Sequence, residues 1–118
     1  MPRLTDPDRL AAYRDALGNW MYDGYIVFKL NEPTRIYLRR DLGILPKELG
    51  RLMFAYVAAG GEIDETPETR PEWSDWEFHW DLRFSINGTP IYVETLLHYA
   101  SPVVPDDSLI EVVNIHAQ

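Results

Sequence analysis

The chain predicts an α+β domain, with two or three helices packed on one face of an antiparallel β-meander. Three observations carry this expectation. Apolar residues recur at helical spacing up to about residue 59, whereas apolar and polar residues alternate strictly from residue 76. Asn87-Gly88 separates the alternating runs 76–86 and 89–98, the strongest short-range signal of a hairpin with a two-residue turn. Helical segments come first and strands afterwards, as in α+β folds rather than in alternating βαβ units.

The elements follow in order within a single domain, 1–118. Thr5-Asp6-Pro7-Asp8 supplies a capping side chain, a proline near the first helical position and acids in the first turn. A helix is predicted over 7–21, with Leu10, Tyr13, Leu17, Trp20 and Met21 on its apolar stripe and Asp23-Gly24 beyond its end. Tyr25-Ile26-Val27-Phe28-Lys29-Leu30 is β-branched and aromatic, and predicts a strand over 25–30. A helical pair is predicted over 33–59. Asn31-Glu32-Pro33-Thr34 starts its first member, which Leu42-Gly43 stops. Pro46 opens the second, with Leu49, Leu52, Met53, Tyr56 and Val57 on one stripe before Gly60-Gly61. The Pro-, Thr- and acid-rich stretch 62–74 predicts a loop, of a length that usually carries function or mobility. The hairpin occupies 76–98, residues 101–107 form a connector, and a last strand is predicted over 109–115.

A two-residue turn sets the hairpin register. Ile86 is expected opposite Thr89, Phe84 opposite Ile91, Leu82 opposite Val93 and Phe78 opposite Leu97, which with Trp80 makes this the core face. On the other face Arg83 meets Tyr92, Asp81 meets Glu94, His79 meets Leu96 and Glu77 meets His98. Pro90 falls at a non-hydrogen-bonded position, so the far side of its strand is expected to be unpaired near its start.

Composition removes several classes of function. With 46% hydrophobic residues among 118, the chain can bury a core. It has no cysteine, which excludes disulfides, thiol nucleophiles, thiolate zinc sites and iron–sulfur clusters. No apolar run approaches the roughly 20 residues that span a bilayer, and the first residues do not begin a signal peptide, so no membrane partner and a cytoplasmic location are expected. A net charge of −8 argues against tight DNA binding, which draws on clustered Lys and Arg. Acids concentrate in one stretch: Glu62, Asp64, Glu65, Glu68, Glu72, Asp75 and Glu77, against the single base Arg70. That stretch is either a solvated face or, through Glu62, Asp64, Glu65, Glu68 and Glu72, a surface for a basic protein partner.

The polar hairpin face is the candidate site. Directly opposed like charges destabilise a strand pair, most of all at a non-hydrogen-bonded rung, so Asp81 opposite Glu94 calls for a shared proton, a cation or a neighbouring base. Three outcomes stay open. Arg83 can neutralise the pair, with Glu77–His98 a surface ion pair. His79, Asp81, Glu94 and His98 form an adequate ligand set for a divalent metal, the one cofactor the sequence suggests. Alternatively His79, His98, Tyr92 and Arg83, with His116 brought alongside by the last strand, supply the acid, base and phosphate donors of a metal-free ribonuclease acting through the 2′-hydroxyl. Tyr22, Trp73, Trp76 and Tyr99 are aromatic candidates for stacking bases.

The order of elements also resembles that of MqsR-type mRNA interferase toxins and the wider colicin-like ribonuclease fold. The fragments that carry the resemblance are Val27-Phe28-Lys29-Leu30, Pro33-Thr34-Arg35, Asp41-Leu42-Gly43-Ile44-Leu45-Pro46-Lys47-Glu48, Ile86-Asn87-Gly88-Thr89-Pro90-Ile91-Tyr92-Val93-Glu94 and Val112-Val113-Asn114-Ile115-His116. It spans about residues 25–116. The resemblance implies an RNA partner and a ribonuclease activity, with Tyr92 and His116 at its catalytic positions.

Overall fold

A computed structural model describes residues 3–73, 76–98 and 108–118. It has helices α1 (Pro7–Gly18), α2 (Glu32–Arg40) and α3 (Pro46–Ala58) and strands β1 (Ile26–Phe28), β2 (Ile63–Pro67), β3 (Phe78–Ile86), β4 (Thr89–His98) and β5 (Leu109–Ala117). This is an α+β fold, with the five strands in the order β1-β5-β4-β3-β2. Tyr99 and the connector 101–107 lie outside the described residues. Among those described, no helix is long and apolar enough to cross a membrane.

The helix ends follow local chemistry. Asp6 caps α1 by accepting the Arg9 N–H at 2.9 Å, and Asn31 caps α2 by accepting the Thr34 N–H at 2.9 Å. Helix α1 stops at Gly18 rather than at 21, because the Asn19 N–H turns back onto the carbonyls of Ala16 and Leu17. Met21, expected on the stripe, is 53% exposed. Gly43 lies beyond α2 with φ of +73°, where a side chain would strain the backbone.

Two expectations about the sheet are corrected. It is not a purely antiparallel meander, since β1 runs parallel to β5, with Ile26, Val27 and Phe28 opposite Ile110, Glu111 and Val112. A parallel neighbour needs a long connection, and everything between residues 28 and 109 supplies one. The acidic stretch 62–74 is not simply a loop: Ile63–Pro67 forms edge strand β2 on β3, and Pro71–Trp73 a 3-10 turn. Its charges hid the strand because their partners lie far away in sequence. Glu65 accepts from Arg9 Nε and Nη2 at 3.1 Å each and from the Trp80 indole N–H at 3.1 Å.

The hairpin register runs from Ile86 opposite Thr89 to Trp80 opposite Thr95, with Asp81 opposite Glu94. The far side of β4, expected to be unpaired near its start, is paired almost to that end: Ala117 lies opposite Ile91, and Gln118 donates its main-chain N–H to the Pro90 carbonyl, a bond that asks no N–H of the proline. Strand β5 carries a bulge: Thr95 faces Val112 whereas Glu94 faces Asn114, leaving Val113 as the extra residue. The bulge changes the parity of the strand. Ile110, Val112 and Ile115 all turn to the core, and Asn114 and His116 turn to the opposite face.

The core lies between the helices and one sheet face. Ala12, Tyr13, Ala16 and Leu17 of α1 and Leu49, Met53 and Val57 of α3 are buried there with Trp80, Leu82, Ile91, Val93 and Leu97. Phe78 and Phe84 pack against it as half-buried rings. A fully buried polar contact crosses it: the Tyr13 hydroxyl is 2.7 Å from Thr95 Oγ1, which itself donates to the Trp80 carbonyl at 2.6 Å.

Removing the Tyr13 hydroxyl leaves Thr95 its second partner, so Tyr13→Phe should cost only about 1 kcal/mol by urea denaturation. Burial raises Tyr13 above its ordinary pKa of 10.0. The stability this contributes is complete below pH 10 and falls as pH rises beyond it, as the unfolded chain ionises first. Tyr13→Phe should therefore flatten the alkaline limb of a stability–pH curve.

Candidate functional site

The sheet face away from the helices is ordered in rows by the strand register. One row holds Asp64, Asp81, Glu94 and Asn114, and the next holds Arg83, Tyr92 and His116. On the other side of the acidic row lie Thr66 and His79. The two halves of this face differ in solvent access.

The half around His79 is closed. Asp81 is fully buried, Glu94 is 6% exposed and His79 is 9% exposed. Residues Glu68 and Arg70, beyond the end of β2, lie against this half, and the Glu68 side chain is 1% exposed. The Arg70 guanidinium donates to Glu68 at 2.8 Å through both Nε and Nη2, and Nη2 also reaches Glu94 Oε2 at 2.5 Å. The Asp81 carboxylate accepts from His79 Nδ1 at 2.8 Å and from the Thr66 hydroxyl at 3.1 Å. A carboxylate only accepts, so the pair holds the imidazole as its Nδ1–H form. The opposed carboxylates are thus relieved by separate partners, Asp81 by His79 and Thr66 and Glu94 by Arg70, and not by Arg83.

The half around Arg83 is open. Its Nε lies 3.3 Å from Asp64 Oδ2, and its guanidinium stands 5.4 Å from the centroid of the Tyr92 ring. Tyr92 in turn stacks on His116, with centroids 4.8 Å apart and planes inclined by 22°. A cation, a phenol and an imidazole from three adjacent strands therefore form one continuous column. Hollows flank it, one of about 280 Å³ where Arg83 meets Tyr56, and one of about 200 Å³ where His116 meets Thr34 and Tyr37. Burial, then the neighbouring Asp81 carboxylate, raises the Tyr92 pKa above its ordinary 10.0.

The residues expected to act together are divided between three places. Arg83 and Tyr92 join His116 in the open column. His79 and Asp81 join Glu94 in the closed half, where one ligand atom from each lies within 4.8 Å of the others. His98 joins neither group: Trp76 stands edge-on to its ring at 4.8 Å, and its Nε2 is 3.3 Å from Glu111 Oε2. Glu111, not Glu77, is therefore its acidic neighbour. Among the aromatic candidates, Tyr22 is 62% exposed, whereas Tyr99 and the side chain of Trp73 lie outside the described residues.

The acids proposed as a docking surface are largely engaged within the chain. Glu62 pairs with Arg3 at 2.7 Å, Asp64 with Arg83, Glu65 with Arg9 and Glu68 with Arg70, while Glu72 is exposed. Arg70 and Thr66 are the members of the site that pattern reading missed, and Glu68, expected on a docking surface, belongs to it as well. The one signal for them was a lone arginine inside an acidic tract. The chain matches no protein-family profile, no curated protein and no solved structure.

Arg70→Met should leave Glu68 and Glu94 without their counter-charge. The loss typical of a fully buried pair is about 3–5 kcal/mol. Arg70 is 37% exposed, so solvent screening should reduce it to about 2 kcal/mol, read as a lowered urea midpoint. The Arg70 hydrogen bonds, opposed by burial, lower the Glu68 pKa from 4.5 to about 2. That contribution is present above pH 4.5 and lost as pH falls toward 2, so Glu68→Gln should flatten the acid limb in that window.

Proposed function

We propose that this protein binds single-stranded RNA on the open column of Arg83, Tyr92 and His116 and cleaves it there through the substrate's own 2′-hydroxyl. The reading rests on one feature, the continuous stack of guanidinium, phenol and imidazole on a sheet surface, exposed at Arg83 and His116 and half-buried at Tyr92. Unpaired bases stack on such rings with little regard to sequence, and an arginine adds a fork that matches a phosphate. The hollow at the His116 end of the column, beside Thr34 and Tyr37, gives room for a neighbouring nucleotide.

Roles follow from chemistry. Tyr92 carries Arg83 and His116 on its two sides and aligns them, so that a base meets the column at the outer face of the His116 ring. Arg83 holds the scissile phosphate. His116 takes the 2′-hydroxyl proton as that oxygen bonds to phosphorus, the bond to the 5′-oxygen breaks, and the leaving oxygen takes a proton from water. His79 and His98 lie outside this set. The resemblance in element order to RNA-cleaving toxins points the same way. A net charge of −8 means that affinity comes from stacking and not from neutralising many phosphates.

Binding of a fluorescent oligoribonucleotide and cleavage of the same strand test this reading. Tyr92→Ala should weaken binding about tenfold or more, in keeping with the roughly 1–3 kcal/mol carried by a stacked base, while Tyr92→Phe keeps it. His116→Ala should stop cleavage with binding retained. With one phosphate contacted, log K should fall with log salt at a slope of only about −0.7. Absence of binding by the unaltered protein, or binding indifferent to Tyr92→Ala, would overturn the proposal.

A further inference from the structure

We infer that His79, Asp81 and Glu94 form a binding site for one divalent transition-metal ion, independent of the RNA reading. A ring nitrogen of His79 and one oxygen from each carboxylate converge to within 4.8 Å of one another. All three residues are buried, unlike the scattered exposed acids that gather without a ligand. Two residues come from β3 and one from the rung opposite, so the sheet ladder itself holds the donors together.

Charge provides the second argument. Among the described residues, the closed half of this face holds the carboxylates of Glu68, Asp81 and Glu94, whose side chains are at most 8% exposed. Among the described residues, the guanidinium bonded into it is that of Arg70. Three negative charges and one positive leave two negative charges in a region poorly reached by water. Uncompensated charge in such a place is expensive. A divalent cation carries the missing charge, with His79 entering as a neutral ligand.

The donors are already oriented from outside. Thr66 holds Asp81 Oδ2 at 3.1 Å and Arg70 holds Glu94 Oε2 at 2.5 Å, which leaves Glu94 Oε1 for an ion, while Asp81 Oδ1, now 2.8 Å from His79 Nδ1, would exchange that hydrogen bond for the metal. Outer partners of this kind commonly fix the ligands of metal sites. An imidazole with two carboxylates suits zinc or manganese better than magnesium, which favours oxygen alone and keeps its waters. Bonds of about 2.0–2.2 Å would draw the three donors somewhat closer than they stand. Three protein ligands also leave coordination positions for water, the pattern of a reactive rather than a closed structural site.

Calorimetric titration of the full chain, freed of metal by a chelator, with zinc chloride or manganese chloride tests the site. One equivalent should bind, and magnesium should bind far more weakly. His79→Gln and Glu94→Gln should each weaken binding at least tenfold, whereas Glu48→Gln on α3 should leave it unchanged. The unaltered protein supplies a second readout if either variant fails to fold. The chain has three histidines, and substoichiometric manganese should broaden the proton resonances of the His79 ring before those of His98 and His116. No saturable binding, binding unchanged in both variants, or earlier broadening of His98 or His116 would overturn the inference.

Discussion

The two-residue turn at Asn87 and Gly88 governs the rest of the molecule, because both of its residues take the left-handed backbone that a tight hairpin requires. Their φ angles are +50° and +83°, tolerable for asparagine and unstrained for glycine. The turn leaves the hairpin no freedom of register. A slip by one residue would carry Leu82 and Val93 out of the core and drive Arg83 and Tyr92 into it. The Asn87 side-chain amide also donates to the Leu42 carbonyl at 2.8 Å, so the tip of the hairpin is tied to the chain just beyond α2.

That same register forces Asp81 against Glu94, and much of the local structure resolves this conflict. Neither carboxylate can move away without breaking the ladder. Each instead gathers donors, Asp81 from its own strand and from β2, Glu94 from Arg70 beyond the edge of the sheet. A stretch rich in acids thereby acquires a reason to fold back over the sheet. The hydrogen bond from the Glu68 N–H to the Glu77 carbonyl, at 2.9 Å, continues the β2–β3 pairing past Pro67 and sets Arg70 within reach. The arrangement closes one half of the face and leaves the Arg83 row open.

The bulge at Val113 decides what the open half contains. Without it, strict alternation would turn His116 toward the helices and Ile115 toward solvent. With it, the apolar residues stay buried while His116 comes to rest on Tyr92. The open column and the intact core are thus consequences of one extra residue in one strand.

The α+β class, the three helix starts and the rungs from Ile86–Thr89 through Asp81–Glu94 follow from the amino-acid sequence by itself, because they depend on interactions between near neighbours: caps, apolar periodicity and a two-residue turn. The oddity of Asp81 opposite Glu94 was legible for the same reason. Which groups answer it was not. Thr66 and Arg70 lie 15 and 24 residues from the carboxylates they serve, and Arg9 lies 56 residues from Glu65, so the strand that looked like an acidic loop could be recognised only with those partners in place. The parallel pairing of β1 with β5, the separation of His98 from His79 and the stacking of His116 on Tyr92 were likewise decided by the tertiary structure. Each depends on where a distant strand docks and on a single bulge, and local propensity carries no record of either.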